Sequence, residues 1–433
     1  MSNLTIGILG LIVMLILMFL KMPLAITFLV AGIGGIMVIM GPAAGLSYLT
    51  SLPFSKAASY TYAVLPLFVL LGDLAVQGGL TIDAYSAIRK WFYRVPGGLA
   101  VTATITSAVF GAICGSMQAT ALVMSQMAWP EMKRYGYDSK MSLGAICAAA
   151  PIAILIPPSI PFVQYGMLAN TSIGALFMAG ILPGILLTLS IIIVVIIRCI
   201  RNPDAAPKTE PTSMKEKLRS LWNAWPILLL VILMMYCIWG GICTVNEAAA
   251  VGVIACIIIV LVKRRMTLKQ IIKCCGKSCV MGAGIIFLLV GVHFFGVFMT
   301  LAGIPQALSN LITNMHVNRY VIVYLIVIMY LVLGCFIDTP PIIVLTVPLL
   351  YPVIQQLGFD LVWFGVIVSI CGALGGVTPP VGINLFVMHS ALPDVPMEVL
   401  NRGVWPYIFT TLVVLILCIH IPQLTLWLPS LMK

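Results

Sequence analysis

The sequence contains little charge. Of its 433 residues only 8% are Asp, Glu, Lys or Arg, and only 12 of these are acidic. About a quarter of the residues in a soluble domain are charged. Here 62% are hydrophobic and the mean hydropathy is +1.15. Because a bilayer solvates apolar faces that water cannot, this composition excludes a soluble globular protein and indicates an integral membrane protein.

The residue patterns of catalytic and metal sites are also lacking. No Ser/His/Asp set, Gly-rich phosphate loop or paired carboxylates can be recognised, and the 12 Cys and four His are scattered. The densest cysteine group is Cys274, Cys275 and Cys279, which we place in a basic connector without a nearby His. We therefore expect small packing cysteines in a reducing setting and no cofactor. An intramembrane enzyme is disfavoured, because it would need a nucleophile with its base or paired metal ligands.

Long apolar runs predict membrane-spanning helices, which need about 20 residues each. The first run has no basic residue before it and no clear cleavage site after it, so we interpret it as a retained helix and not as a signal peptide. The predicted uninterrupted spans are Leu4–Leu20, Pro23–Met40, Tyr62–Leu80, Ile173–Ile197, Ala224–Ile242, Ala248–Val262, Ile285–Ala302 and Trp405–Ile421.

Two further apolar runs are interrupted by proline pairs. Met141–Ala169 contains Pro157-Pro158, and Val362–Leu392 contains Pro379-Pro380. Proline lacks an N–H and clashes with the preceding helical turn, so two in succession must break a helix. Both runs are predicted to be broken spans.

Two regions carry two apolar arms around a polar tip. In 97–132 the tip is at Gly115 and Ser116, and in 320–354 it is at Asp338 and Thr339. We interpret each as a re-entrant helical hairpin that enters and leaves on one side of the membrane. The runs before them, Thr81–Arg94 and Ile304–Arg319, resemble interfacial amphipathic arms.

The chain has an internal repeat with an offset of 222 residues. Matches of Pro, Gly and Asp are informative in so apolar a sequence. The pairs are Pro130/Pro352, Gly136/Gly358, Asp138/Asp360, Pro157/Pro379 and Pro158/Pro380, and the same offset places Ser116 on Asp338. We predict repeats at 1–200 and 223–433, joined by a proline-rich linker at 201–222.

The basic residues predict the orientation. Five crossings per repeat is an odd number, so the second repeat should be inverted relative to the first. With this count, every one of the 23 basic residues except Lys56, Arg319 and Lys433 falls on one side. By the positive-inside rule that side and linker 201–222 are cytoplasmic, and both termini face outward. The same pattern accounts for the net charge of +11 without nucleic-acid binding.

Inverted repeats with broken elements near the midplane are typical of secondary transporters, and they fit alternating access better than the continuous pore of a channel. Asp338 is the strongest single candidate for a functional residue, because a carboxylate at membrane depth costs several kcal/mol unless it is paired or hydrated. It is either part of a cation site or a cap for the backbone of its own hairpin.

Other polar residues at the tips and breaks have the same two interpretations. Ser116, Ser159, Thr378 and Asn384 are either ligands or residues of turns and helix caps. Two acids near apolar runs are expected to have structural roles. We expect Glu247 to lie at a helix N-terminus, where an acid is favourable, and Asp73 to form a bond between helices.

These residues give the chain a resemblance to the large membrane subunit of the TRAP (tripartite ATP-independent periplasmic) transporters, over about residues 3–427. The motifs that carry the resemblance are Pro23-Leu24-Ala25, Pro66-Leu67-Phe68, Gly72-Asp73, Gly115-Ser116, Ile156-Pro157-Pro158-Ser159, Gly180-Ile181-Leu182-Pro183-Gly184, Phe336-Ile337-Asp338 and Thr378-Pro379-Pro380-Val381-Gly382 with Asn384. The alternative is a stand-alone divalent-anion/sodium symporter or an ion antiporter of similar inverted-hairpin build.

The resemblance implies an all-α, elevator-type, sodium-coupled importer of an organic anion, such as a C4-dicarboxylate or a sugar acid, in the bacterial inner membrane. It implies two partners on other chains, a small membrane subunit and a periplasmic substrate-binding protein. The implied sodium ligands are Gly115, Ser116, Pro157 and Ser159 at one site, and Asp338, Thr339, Thr378, Pro379 and Asn384 at the other. The candidate substrate contacts are Ser116, Gln118, Thr120, Ser159, Thr378 and Asn384.

Overall fold

A computed structural model describes residues 2–207, 212–314 and 317–432. Within these ranges all regular structure is helical, which confirms the predicted all-α class. The α-helices are α1 Asn3–Phe19, α2 Leu24–Met40, α3 Pro42–Ala57, α4 Val64–Gln77, α5 Leu80–Phe92, α6 Gly98–Cys114, α7 Met117–Arg134, α8 Ser139–Ala149, α9 Ile152–Leu155, α10 Ile160–Leu168, α11 Ile173–Arg201, α12 Met214–Trp239, α13 Val245–Val262, α14 Leu268–Leu301, α15 Ile304–Asn314, α16 Arg319–Phe336, α17 Thr339–Gln356, α18 Leu361–Val377, α19 Ile383–Ala391, α20 Met397–His420 and α21 Gln423–Ser430. Two 3₁₀ turns, Tyr60–Ala63 and Pro203–Ala205, complete the described elements.

Several helices are long and apolar enough to cross a membrane. In the described part of the chain there are seven such helices, and the bent pair Ser139–Leu155 and Ile160–Leu168 makes an eighth candidate. α1, α2, α6 and α18 are apolar but shorter. The chain is therefore a multi-pass membrane protein, whereas the count of five crossings per repeat stays a prediction.

Some boundaries differ from the prediction because polar caps start helices early. Ser213 and Glu216 form a capping box at the start of α12, so the last part of linker 201–222 is helical. Residues 208–211 of that linker lie outside the described residues. Thr267 and Gln270 cap α14 in the same way. The Cys274 group, which the sequence placed in a connector, is therefore part of a 34-residue helix.

The helices α3 and α21 were not predicted. Each is short and carries an internal proline, Pro53 in α3 and Pro429 in α21. Polar residues interrupt the apolar run in both, so neither resembles a span of about 20 apolar residues.

The helices pack in two groups. In the first group α2 and α4 pack on α14, α4 also on α13, and α5 on α12. In the second group, hairpin and broken helices of one half pack on helices of the other: α8 on the last long helix α20, α10 on α17, and α7 on α19. Every one of these contacts joins the first half of the chain to the second, so neither half is a separate globular unit.

Equivalent positions of the predicted repeat have equivalent backbone structure. Gly136 and Gly358 both have φ of +74°. The residues that follow two positions later, Asp138 and Asp360, are the N-caps of α8 and α18. The two Pro-Pro bonds, at Pro157 and Pro379, are both cis. The inverted relation between the halves stays a prediction.

The two acids that were expected to be structural form the expected bonds. Asp73 on α4 accepts a hydrogen bond of 3.2 Å from Lys277 on α14. Glu247 accepts a bond of 2.7 Å from the backbone N–H of Thr244, which is the N-cap of α13. The bond between helices expected of Asp73 and the helix N-terminal position expected of Glu247 are both observed, whereas the second carboxylate oxygen of Asp73 is buried without a partner among the described residues.

Candidate functional site

The first hairpin turns at Gly115. This residue ends α6 in the left-handed conformation, with φ of +56°, and Ser116 then caps α7 by accepting a bond from Ala119 N. A β-carbon at position 115 would lie 2.6 Å from the carbonyl oxygen of Pro158. Two constraints therefore require glycine at this position, the backbone angle and the close approach of the Pro158 carbonyl. The tip of the first hairpin lies directly against the proline break of the first broken span.

The second hairpin turns at Asp338, which caps α17. One carboxylate oxygen accepts a bond of 2.7 Å from the N–H of Thr339. The carbonyl of Cys335 accepts a bond of 3.1 Å from the N–H of Gly382, just after the second proline break. Each hairpin thus has a backbone bond or contact to the break of its own half. The capping interpretation of Asp338 is observed.

The two tips meet at one small cavity. Its volume is about 30 Å³, which is room for about one or two water-sized species. The residues that line it come from both tips and from the ends of the first break: Gly115, Ser116, Met117, Gln118, Ile154, Ile160, Pro161, Asp338, Thr339 and Pro340. We call this space the tip cavity. The structure therefore brings together five sequence-predicted site residues, namely Gly115, Ser116, Gln118, Asp338 and Thr339.

One side chain connects the two tips. Gln118 on α7 accepts a bond of 3.3 Å from the hydroxyl of Ser116. Its amide also lies beside the carboxylate of Asp338 across the tip cavity. The sequence identified Gln118 only as a candidate substrate contact, and no sequence signal indicated this proximity across the tips. The two residues are 220 positions apart in the chain, and only the packing of the two hairpins brings them together.

Helix ends of both signs surround the tip cavity. The N-terminal ends of α7, α10 and α17 contribute Met117, Ile160 and Thr339 to the lining. Such ends carry partial positive charge and favour anions. Gly115 lies at the C-terminal end of α6, where backbone carbonyl groups carry partial negative charge. Together with the Asp338 carboxylate, such groups suit a small cation.

The other predicted residues lie outside the lining of the tip cavity. Ser159 donates a bond of 2.6 Å to Ile154 O and caps α10, and Pro157 is buried beside it. Thr378 donates a bond of 2.6 Å to Leu374 O. Thr120 donates a bond of 2.9 Å to Ser116 O, beneath the first tip. Ser159 is thus observed as a cap, because its oxygen also accepts a bond of 3.3 Å from the N–H of Phe162, whereas Thr120 and Thr378 each bond to a carbonyl of the preceding helical turn.

Two predicted residues hold buried polar atoms without a partner. Asn384, at the start of α19, is fully buried, and neither its amide oxygen nor its amide nitrogen has a hydrogen-bond partner among the described residues. The hydroxyl of Thr339 at the second tip is also buried and without a partner in that part of the chain. A buried polar group without a partner costs about 1–3 kcal/mol. Such groups in a native structure are expected to meet an ion, a water or a substrate.

An open groove runs between α7 and α19, with a volume of about 630 Å³. It is mostly apolar, and its polar residues are Gln126 and Ser390. Val381 and Ile383 at the second break form one end of it. Its volume lies in the range of small-molecule sites, about 300–1,000 Å³, whereas the tip cavity has room only for about one or two water-sized species.

Comparison with known proteins gives a consistent assignment. Residues 11–424 match the family described as "Tripartite ATP-independent periplasmic transporter, DctM component". The C4-dicarboxylate TRAP transporter large permease protein DctM of Pseudomonas aeruginosa PAO1 is 32% identical over 378 residues, which are 87% of this chain and 88% of that protein. The isethionate TRAP transporter permease protein DctMQ of Oleidesulfovibrio alaskensis G20 is 30% identical over 383 residues. That match covers 88% of this chain but only 60% of the longer relative.

A solved structure shares the fold. The YdaH transporter of Alcanivorax borkumensis aligns with a TM-score of 0.67 and 16% identity, covering 87% of this chain and 89% of that one.

The matched family and relatives of this all-helical, multi-pass protein are membrane transporter permeases and not enzymes. The chain belongs to the DctM component family of the tripartite ATP-independent periplasmic transporters, and it is the large membrane subunit of a binding-protein-dependent secondary transporter. Transporters of this family work with a periplasmic binding protein and a small membrane subunit.

Proposed function

We propose that this permease imports a small organic anion, a carboxylate such as a C4-dicarboxylate or a sugar acid, and couples import to sodium. The observation that carries the proposal is the tip cavity, where the Asp338 carboxylate and the end of α6 lie next to three helix N-termini. Carboxylate and carbonyl oxygens can replace the hydration shell of a sodium ion. The helix N-termini favour the negative charge of a substrate.

The proposed ligands follow from where their side chains lie. Asp338, Thr339, Gly115 and Ser116 line the tip cavity and are proposed to hold sodium there. Pro157 and Ser159 belong to the break that the first tip contacts, and Thr378, Pro379 and Asn384 to the break of the second half. Gln118, Thr120, Ser116, Ser159, Thr378 and Asn384 are proposed as substrate contacts. The amide of Asn384, which has no hydrogen-bond partner in the described part of the chain, is the strongest support for a ligand at the second break.

We further propose an elevator mechanism in the inner membrane. The second group of helices, with the hairpins and breaks, moves relative to the group formed by α1–α5 and α12–α14. Linker 201–222 is cytoplasmic and the termini are periplasmic, as the basic residues indicate. The small membrane subunit is proposed to be a separate polypeptide, although one relative carries the composite name DctMQ and is longer than this chain.

Transport into proteoliposomes tests the proposal. The permease is reconstituted with its small subunit, and uptake of a panel of radiolabelled carboxylates is measured with and without a sodium gradient and with and without the cognate binding protein. The proposal predicts uptake only when both are present. Uptake of free substrate without a binding protein would instead support a stand-alone symporter, and uptake that ignores the sodium gradient would remove the proposed coupling.

A further inference from the structure

A second polar cavity lies apart from the tips. It has a volume of about 430 Å³ and is enclosed by α3 and α14 on one side and by the end of α10 and the middle of α17 on the other. It shares no lining residue with the tip cavity. Its polar lining consists of Tyr48, Lys56, Asn170, His293, Thr300 and Tyr351. We call it the lysine cavity.

The charge in the lysine cavity is of one sign. Lys56 is its cation, and no Asp or Glu occurs among the described residues that line it. Within the described ranges Lys56 forms no ion pair, although other lysines do, such as Lys263 with Asp83. Lys56 is only partly exposed. A partly enclosed ammonium without a counter-ion favours the binding of an anion.

Other polar groups in the lining can donate hydrogen bonds to that anion. Tyr48 and Tyr351 bring hydroxyls, and Asn170 brings an amide, whereas the hydroxyl of Thr300 already donates a bond of 2.8 Å to Gly296 O. The ring of His293 is held in place by a hydrogen bond of 2.8 Å with the hydroxyl of Tyr62. A carboxylate accepts several hydrogen bonds at once, and its bonds to an ammonium are shorter and stronger than those between neutral groups.

We propose that the lysine cavity is a second anion site, which binds the carboxylate of a small organic acid beside Lys56. This inference rests on the proposed function for the class of ligand. The volume of about 430 Å³ suits a molecule of a few carbon atoms. The site lies where α3 and α14 face α10 and α17, that is, between the two groups of helices. An anion bound there occupies a position between the two groups of helices before it binds at the hairpin tips.

Chemical protection of Lys56 tests the site directly. The reconstituted complex reacts with trinitrobenzenesulfonate, an anionic reagent for amines, and modification of each lysine is followed by mass spectrometry. Succinate should slow modification of Lys56 several-fold relative to sodium chloride of the same ionic strength. The neutral analogue succinamide should have no effect. Lys269, which is exposed and outside the cavity, should react at the same rate in every solution. Equal modification of Lys56 with and without succinate, or equal protection by succinamide, overturns the proposal.

Transport kinetics provide the second readout. Lys56→Gln should raise KM for the transported acid several-fold with the maximal rate retained, and Lys56→Arg, which keeps the charge, should stay near the parent value. Lys269→Gln removes the same charge elsewhere and should leave KM unchanged. An unchanged KM in Lys56→Gln contradicts the site. Failure of sodium-coupled uptake in the parent protein would refute the proposed function instead, while the protection experiment would still report on the lysine cavity.

Discussion

The side-chain amide of Gln118 on the first hairpin lies beside the carboxylate of Asp338 on the second, across the tip cavity. The same side chain accepts a bond from Ser116, so one residue connects both tips. Ser116 and Asp338 are related by the 222-residue offset of the internal repeat. The residues at the two tips, which would otherwise be independent, therefore belong to one network around a cavity of about 30 Å³.

Replacing Gln118 by leucine should weaken sodium binding. The substitution removes the group that orients the Asp338 carboxylate, so the proposed cation site is less preorganised. We expect a several-fold rise in the sodium concentration that gives half-maximal uptake. Gln126→Leu is the matched control, because Gln126 is on the same helix but lines the open groove. An equal change in both variants would contradict the role of Gln118.

Gly115→Ala should abolish transport. A left-handed backbone costs an alanine about 1–2 kcal/mol, and here the new β-carbon would also lie 2.6 Å from the carbonyl oxygen of Pro158. Gly136→Ala is the control for the cost of the left-handed backbone alone. Gly136 has φ of +74°, and a β-carbon there would meet nothing closer than 4.0 Å. Initial rates of uptake in proteoliposomes measure the effect. Transport reduced equally in both variants would mean that contact with the break is unimportant.

Asn384→Leu should stabilise the sodium-free protein and reduce its response to sodium. The amide is buried and has no hydrogen-bond partner among the described residues, and its burial costs about 1–3 kcal/mol, which an apolar side chain of similar size avoids. A ligand that binds only the folded state raises Tm, so sodium should stabilise the parent protein more than the variant. Thermal unfolding in detergent, with sodium or choline chloride, provides both values.

Asn246→Leu is the contrasting variant for that experiment. The amide of Asn246 donates a hydrogen bond to Tyr60 O, so its removal leaves a carbonyl without a donor and should lower Tm in both salts. If Asn384→Leu behaves as Asn246→Leu does, then Asn384 has a structural role and not that of a ligand.

Asp83→Asn should destabilise the protein without changing its sodium dependence. Asp83 on α5 forms ion pairs with Lys263, at 3.2 Å, and Arg265, at 2.9 Å, and its side chain is only 13% exposed. Removing the shared anion leaves two adjacent cations, and loss of one member of a buried pair costs about 3–5 kcal/mol, with less expected at this partial burial. Glu398→Gln breaks the exposed pair with Arg402 and should change Tm little. Equal changes of Tm in the two variants would contradict this assignment.

Much of the architecture could be predicted from the sequence because a small number of physical constraints determines where membrane helices begin, end and break. Apolar length located most of the long helices, and the proline pairs located both breaks, since a proline pair cannot continue a helix. The hairpin tips were found at Gly115 and Asp338 because polar residues at membrane depth are costly. Capping boxes, which extend α12 and α14 beyond their apolar runs, are local signals that the search for apolar runs did not weigh.

The tertiary part of the site could not be predicted. Nothing in the sequence near Gln118 indicates that its amide contacts Asp338, and nothing near Asn384 indicates that its amide is left without a partner. Both follow from how the hairpins and broken helices pack across the two halves. The lysine cavity was missed for the same reason, because Lys56 and Tyr351 meet only in the folded chain.

The most direct test of the account is the sodium dependence of uptake in Asp338→Asn beside Asp360→Asn. Asparagine caps a helix about as well as aspartate, so both variants keep their caps, at α17 and α18, and lose one negative charge. The account predicts that Asp338→Asn raises the half-maximal sodium concentration by at least about tenfold, which corresponds to about 1.4 kcal/mol, and that Asp360→Asn stays near the parent protein. Unchanged sodium dependence in Asp338→Asn would show that this carboxylate is only a cap, and would contradict the sodium site at the tip cavity.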